Sequence, residues 1–360
     1  MLKRILGSLL VAALLLPFST SVFAAGLTLV PPKFEFDVEP GTTIRDVIKI
    51  SNQGTDTLVL TATVQDFVAG GETGEPAFID ASENDPSISI SNWIQVTGED
   101  ALLVQPGEKK EISFVISVPT DAEPGGHYGA VFFTPPAGGG QVAVTQRIGT
   151  LVLVRVKGEI NETGHLDTFG AYPETLAGEE IATSSADMLF DSLPVSFATR
   201  YENTGNIHLK PAGKIEITNI FGQQVERVGV EAIYNERGVE VSKEIVDYIP
   251  VNNGRGNVLA KSFRTFRTSW EGEPYWYRLD DGSKEIRYRG YPIGLYTATL
   301  TLDNPGGDDI VETARIIVFP VLHIGGGVLV LVILIFGGMR FARWRQRAAE
   351  AAFKKKFGVK

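Results

Sequence analysis

The segment Leu58-Val59-Leu60-Thr61-Ala62-Thr63-Val64 decides the fold class of this chain. Its even-numbered positions are all apolar, and threonines hold two of the three odd-numbered positions. This alternation is typical of a half-buried β-strand, because successive side chains face opposite sides of the sheet. It recurs at 112–118, 214–218 and 296–302, whereas no fifteen residues between Ala25 and Ile316 keep a helical spacing. The sequence therefore predicts an all-β fold for this part of the chain.

The composition agrees with many short strands joined by turns. The chain has 39 glycines and 19 prolines, the residues that favour turns, and its apolar fraction of 43% is enough for hydrophobic cores. It has no cysteine. Disulfides, thiol catalysis and thiolate metal sites are therefore excluded, and core burial must stabilise the fold.

The N-terminus has the three parts of a secretory signal. Lys3 and Arg4 precede an apolar run, Ile5–Leu16, that is too short to span a bilayer. Val22-Phe23-Ala24 then places small residues at the −3 and −1 positions of a cleavage site. We predict that residues 1–24 are a signal peptide, and a retained N-terminal anchor is the alternative.

A second apolar stretch, Ile316–Met339, predicts a membrane span. As a helix it would reach about 36 Å, which exceeds the roughly 30 Å of a hydrocarbon core. Eight Lys or Arg residues and one Glu follow it, and Trp344 lies at an interfacial position. Since basic flanks stay inside the cell, we predict a single-pass membrane protein with a transmembrane helix at 318–339 and a cytoplasmic tail at 340–360.

Two features of the span leave alternatives open. Gly325-Gly326-Gly327 permits close approach of a partner helix, although small residues also occur in spans without a partner. His323 is either an interfacial residue or an intramembrane proton site.

The charge of the chain is divided unevenly. The tail carries a net +7 and the signal +2, so a total of −10 leaves the exported part at about −19. Such a surface repels polyanions, and we expect no nucleic-acid partner.

Turn motifs indicate two copies of one module. Asn52-Gln53-Gly54 has a counterpart in Asn203-Thr204-Gly205, and the spacing Pro-x-Gly-x-Tyr occurs at 124–128 and at 292–296. We therefore predict two tandem immunoglobulin-like β-sandwich domains, at 25–160 and 161–317. A single larger barrel explains the repeat poorly.

Several strand and turn motifs also follow a known family pattern. Domain one carries Val30-Pro31-Pro32-Lys33-Phe34 and Gly125-Gly126-His127-Tyr128, and domain two carries Tyr201-Glu202-Asn203-Thr204-Gly205 and Gly294-Leu295-Tyr296. With the order of signal, two modules, span and basic tail, the chain resembles the WxL-interacting protein family of bacterial surface proteins. The resemblance implies a first module associated with peptidoglycan or surface proteins and a second that contacts external or host partners. The aromatic, Arg-rich segment of domain two departs from that pattern.

Catalytic and metal-binding motifs are missing from the sequence. There is no His-Glu-x-x-His, Gly-x-Ser-x-Gly, phosphate loop or dinucleotide fingerprint, and the four histidines are scattered. We expect no enzyme activity and no cofactor.

His127 is interpreted as an exposed strand residue, and Gly138-Gly139-Gly140 as a hairpin tip. The run 303–309 is rich in Asp, Asn and Gly, which suits a turn and, alternatively, calcium.

The segment Phe263–Tyr291 is the strongest candidate for recognition. Aromatic rings and guanidinium groups alternate along it, a composition that suits sugar stacking or anchoring of a protein partner. The alternative is a hairpin whose rings pack on a sheet while its arginines face water. The candidate partner-binding residues are Trp270, Tyr275, Trp276, Tyr277, Arg264, Arg267, Arg287 and Arg289.

Two functions follow as hypotheses. The first is a non-enzymatic, membrane-anchored surface protein that displays two modules and binds cell-wall polymer or another surface protein. The second is a membrane-tethered chaperone or assembly factor that captures a client strand at a sheet edge.

Overall fold

The computed structural model describes residues 26–80, 88–98, 101–135, 147–172, 176, 178–186, 188–235, 239–290 and 292–357. The predicted signal peptide, the Gly138–Gly140 turn, Tyr291 and the side chain of His323 lie outside what it describes. The described chain divides into two compact units. The first runs up to Val68 and from Phe78 to Glu159, and the second contains Ala69–Ala77 and everything from Ile160 onward.

Ten described strands form two sheets, which lie in the first unit apart from the strand residues Ala69, Pro76 and Ala77. They are β1 (Leu27–Val30), β2 (Lys33–Val38), β3 (Thr43–Asn52), β4 (Leu58–Ala69), β5 (Pro76–Ile79), β6 (Ile94–Val96), β7 (Leu102–Val104), β8 (Lys109–Ser117), β9 (Gly125–Thr134) and β10 (Ile148–Val156). One sheet has the order β1-β3-β8-β6, and the other β2-β10-β9-β4-β5 with β7 paired to β4. The alternation at 58–64 and 112–118 thus lies in strands of opposite sheets.

The core of the first unit lies between these sheets. Ile48 and Phe114 come from one sheet and Leu60, Phe133 and Val154 from the other, and all five are fully buried in one cluster. Since every second residue of each strand points inward, the two inner faces supply most of the cluster, and Ile90, Trp93, Val118 and Ala122 add to it from outside the strands.

The described part of the second unit holds twelve strands and two helices. They are β11 (Gly164–Ala171), α1 (Gly178–Thr183), β12 (Leu189–Phe190), β13 (Val195–Asn203), β14 (Ala212–Asn219), β15 (Gly229–Tyr234), β16 (Glu240–Val246), β17 (Ile249–Val251), β18 (Ser262–Trp270), β19 (Glu273–Arg278), β20 (Lys284–Arg289), β21 (Gly294–Asp303), β22 (Ile310–Val318) and α2 (Val321–Phe357). A three-stranded sheet, β11-β13-β18, faces a five-stranded sheet, β12-β22-β21-β14-β17. Two hairpins, β15-β16 and β19-β20, form two-stranded sheets of their own.

The core of the second unit repeats the arrangement of the first. Phe197 and Tyr201 come from the three-stranded sheet, Ile215 and Leu300 from the five-stranded sheet, and all are fully buried. The predicted all-β class, with sandwiched sheets and one apolar C-terminal helix, is confirmed.

The two Asn-x-Gly turns that mark the sequence repeat are built alike. Asn52 and Asn203 are both buried, and each Oδ1 accepts a hydrogen bond of 2.9 Å from the backbone N–H two residues on. Each Nδ2 donates to the carbonyl four residues on (2.8 and 2.7 Å) and to a distant carbonyl, of Val104 or Val258 (3.1 and 2.9 Å). One side chain therefore closes a turn and ties it to a distant part of the same unit.

The apolar C-terminal stretch is divided between a strand and a helix. Ile316 and Val318 belong to β22 and are buried in the sandwich core. The predicted start of the helix at residue 318 is therefore too early. Helix α2 begins at Val321, and Ile324–Arg347 within it is long and apolar enough to cross a membrane. Hydropathy alone does not separate these parts, because a buried strand end is as apolar as a span.

Candidate partner-binding hairpin

Strands β19 and β20 carry most of the predicted recognition residues. They pair antiparallel, with Glu273 opposite Arg289 at the root and Arg278 opposite Lys284 at the tip. The turn is specified locally, since Asp281 Oδ1 accepts hydrogen bonds from the N–H (2.9 Å) and Oγ (2.6 Å) of Ser283. These bonds lower the pKa of Asp281, and Gly282 takes a φ of 86° that favours glycine.

One face of the hairpin is a ladder of charged and aromatic side chains. The Arg287 guanidinium lies 3.6 Å from the centroid of the Tyr277 ring, and that of Arg289 lies 5.4 Å from the centroid of Tyr275. Arg289 also makes two hydrogen bonds of 3.0 Å to the carboxylate of Glu273, and Arg287 bonds Glu285. The guanidinium groups therefore cover the rings and hold the two strands together.

Charge pairing on this face shifts the pKa values of its members. The hydrogen bonds that Arg289 donates to Glu273 lower the pKa of Glu273 and raise the pKa of Arg289. Arg227 adds a second cation, with Nε 3.5 Å from Glu273 and an N–H donated to the carbonyl of Pro274 (3.2 Å). Since Arg227 lies outside the hairpin, it fixes the hairpin root to the rest of the second unit.

The opposite face of the hairpin presents aromatic surface. Trp276 and Tyr288 lie on this face, and 47% and 43% of their respective surfaces are exposed. Ile286 lies beside them and is half-buried, and burial raises the pKa of Tyr288. Two large amphipathic rings thus face solvent on a hairpin whose other face is held by ion pairs.

Five of the eight predicted residues come together in this hairpin, and three do not. Arg264, Arg267 and Trp270 lie on β18, in the three-stranded sheet. Trp270 is only 2% exposed and makes an edge-to-face contact with Tyr296 at 5.1 Å. Its assignment as a partner-binding residue is wrong, because an inward-facing strand position places the ring in the core.

The two arginines of β18 are also engaged within the protein. Arg264 donates a hydrogen bond to the carbonyl of Asn257 (2.6 Å), and burial lowers its pKa. Arg267 donates to the carbonyl of Leu176. These two side chains hold loops against the sheet. Composition alone does not distinguish such structural arginines from arginines that bind a partner.

Sequence reasoning passed over the second hairpin, β15-β16. It exposes four apolar side chains, of Ile233, Tyr234, Val239 and Val241. The alternation of Val230, Ala232 and Tyr234 with Glu231 and Ile233 is too irregular to identify a strand pair, and the pairing itself has a register shift at Tyr234.

The structure gives contacts for two further features that the sequence singled out. His127 is buried, not exposed, with Nδ1 3.0 Å from the carbonyl of Ile88 and Nε2 2.9 Å from that of Glu123. In the 303–309 turn, Tyr201 donates a 2.5 Å hydrogen bond to Asn304. Among the described residues, no group of three or more His, Asp or Glu side chains is placed to hold a metal ion, and calcium binding at 303–309 stays a prediction.

Comparisons with known proteins give weak likeness only. No protein-family model and no curated protein matches the chain. Solved structures that match include the class 5 fimbriae chaperone CfaA (9% identity, TM-score 0.33, covering 80% of this chain and 98% of that one) and the E. coli chaperone DraB (10%, 0.31, 81% and 97%). A complex of the Salmonella enterica SafA pilin with the SafB chaperone matches at 9% identity and a TM-score of 0.30, covering 82% and 97%. Likeness at this level carries no functional argument.

Proposed function

We propose that this chain is a non-enzymatic, membrane-anchored binding protein and that the β19-β20 hairpin binds a protein partner. The two sandwich units lie outside a bacterial cell, α2 crosses the membrane, and the basic end of α2 lies inside. The excess of Lys and Arg that follows the apolar part of α2 supports this orientation.

The exposed pair Trp276 and Tyr288 carries the proposal. Trp, Tyr and Arg dominate the binding energy of protein interfaces, and all three types are concentrated in this hairpin. The ladder on the opposite face holds the strands in place before binding, which reduces the entropy lost on association. Such a surface binds a partner without rearranging its backbone.

The same geometry favours a protein over a wall polymer as the partner. The guanidinium groups of Arg287 and Arg289 already lie over Tyr277 and Tyr275, so two of the four aromatic rings of the hairpin have a face covered against sugar stacking. The rings of Trp276 and Tyr288 remain accessible on the face that also carries Arg278 and Lys284, and this combination of apolar rings and cations suits a polypeptide with apolar and acidic side chains. The resemblance to the WxL-interacting family, whose second module contacts external partners, is consistent with this assignment.

Site-specific photo-crosslinking on intact cells tests the proposal. A photoreactive residue at 276 or 288 should capture the same protein, and one at Tyr234, exposed on the other hairpin, should not. Trp276→Ala combined with Tyr288→Ala should abolish capture from a third hairpin position, Lys284, while Phe221→Ala, another exposed aromatic, leaves it intact. Crosslinks to wall glycan alone, or equal yields at 234 and 276, would refute the assignment.

A second function, capture of a client strand, is favoured by one open sheet edge. Among the strands that the structure describes, β12 pairs with β22 only at Ile317 and Val318, so the outer edge of β22 from Ile310 to Ile316 has no strand partner. A client strand would extend the pairing that β12 begins. Val311→Pro, which removes a donor on that edge, should then reduce client capture while Trp276→Ala does not. The reverse result would leave the hairpin as the binding surface.

A further inference from the structure

The outer face of the five-stranded sheet changes character toward its helix end. Across β22 and β21, Arg315 pairs with Thr297 and Thr313 with Thr299, and these rows are polar. The next row on the same face is apolar, since Leu189, Ile317 and Leu295 lie side by side on β12, β22 and β21.

Two of the three residues of this apolar row are exposed, and Ile317 between them is half-buried. Leu189 and Leu295 expose 55% and 54% of their surfaces, although both lie in paired strands. The residues that flank the row are also apolar and exposed. Together they form the apolar rim, which consists of Met188, Leu189, Ile293, Leu295, Ile317 and Phe319. Scattered apolar side chains are normal on a surface, but a contiguous group marks an interaction site.

The covalent chain places the rim beside the apolar part of α2. Phe319 and Pro320 alone separate β22 from α2, and the apolar span begins at Ile324. Ile317 is therefore within about 20 Å of the start of the span along the chain, and Leu189 and Leu295 lie one strand spacing, about 5 Å, to either side of Ile317. A bilayer crossed by α2 is thus the surface that this end of the sheet meets first.

We propose that the apolar rim rests in the headgroup region of the bilayer that α2 crosses. Apolar side chains at this depth lie at the boundary between headgroups and acyl chains, where their burial is favourable. From the polar row of Arg315 and Thr297 onward, the outer face of the sheet is then in contact with water. The rim holds the second unit at a fixed tilt on the membrane, and this contact is independent of the hairpin and its partner.

The absence of cysteine from the chain allows a direct test with single labels. Leu295→Cys, Leu189→Cys and Val311→Cys are each labelled with an environment-sensitive fluorophore in the full chain, reconstituted at low density into phosphatidylcholine vesicles. Val311 is the matched control, because it lies on β22 with the same side-chain orientation as Ile317, at the far end, and is 61% exposed.

Labels at 295 and 189 should emit at shorter wavelength than the label at 311. Nitroxide-labelled lipid should quench them severalfold more strongly, and aqueous iodide severalfold less. Equal quenching of all three labels by iodide would overturn the proposal. A blue shift that grows with protein density would also overturn it, since a second copy of the chain would then cover the rim. Neither readout depends on the hairpin partner, because pure lipid vesicles contain none.

Discussion

Replacing Asn203 by aspartate removes two hydrogen-bond donors from a buried turn and leaves its shape unchanged. The Oδ1 atom still accepts from the backbone N–H two residues on, as it does at 2.9 Å in the wild type. The Nδ2 atom, which donates to the carbonyls of Ile207 (2.7 Å) and Val258 (2.9 Å), becomes an oxygen. Both carbonyls then face another acceptor.

The cost follows from the number of groups left unpaired. Each buried carbonyl that loses its donor costs about 1 to 3 kcal/mol, so two of them cost about 2 to 6 kcal/mol. Asn203 is fully buried, so water cannot replace the lost donors. We expect a loss of at least this size in the free energy of unfolding of the second unit, because the aspartate also brings a carboxylate into the buried turn.

Urea unfolding of the full chain in detergent micelles, followed by far-UV circular dichroism, measures the change. Asn161→Asp is the control, because it makes the same substitution at an exposed position and should stay within about 0.5 kcal/mol of the wild type. Asn52→Asp should destabilise the first unit by a similar amount, since its three hydrogen bonds are equivalent. A change at Asn203 no larger than at Asn161 would refute the reasoning.

Three more predictions use the same measurement. Trp270→Ala should lower the free energy of unfolding by about 3 to 5 kcal/mol, whereas Trp276→Ala should change it by less than about 0.5 kcal/mol. Equal losses would contradict the placement of Trp270 in the core and Trp276 on the surface. Burial raises the pKa of Tyr201 to about 12, from about 10 in the unfolded chain. Between pH 10 and 12 only the unfolded chain ionises at this phenol, so the free energy of unfolding should fall with rising pH, and part of that fall should be missing in Tyr201→Phe. An identical fall in the wild type and Tyr201→Phe would contradict this prediction. Gly306→Ala should lower the free energy of unfolding by about 1 to 3 kcal/mol more than Gly222→Ala does. Both glycines have a positive φ, but only at position 306 would a new Cβ overlap backbone atoms. Equal losses would show that the structure relaxes around the overlap without cost.

The strands at 58–64, 112–118 and 296–302 were predictable because alternation is a local property. It follows from which side of a sheet each residue faces, and it needs no knowledge of the neighbouring strand. The apolar helix was predictable for a similar reason, since only composition and length decide whether a helix is able to span a bilayer.

The hairpin residues were predictable only in part. A run rich in aromatics and arginines indicated recognition, yet the same composition describes Trp270 in the core and Trp276 on the surface. The difference is the sheet to which each strand belongs. β18 packs in a sandwich, whereas β19 pairs with β20 alone among the described strands, and its outer half is exposed.

The sequence by itself determined the class of the fold, the strand positions and the apolar span, because each depends on side chains near in sequence. Only the tertiary structure decided which aromatic rings are exposed, that Asn52 and Asn203 close equivalent turns, and that the apolar rim gathers beside α2. Those properties depend on strands from distant parts of the chain that pair with one another, and a local sequence pattern does not specify which strands pair.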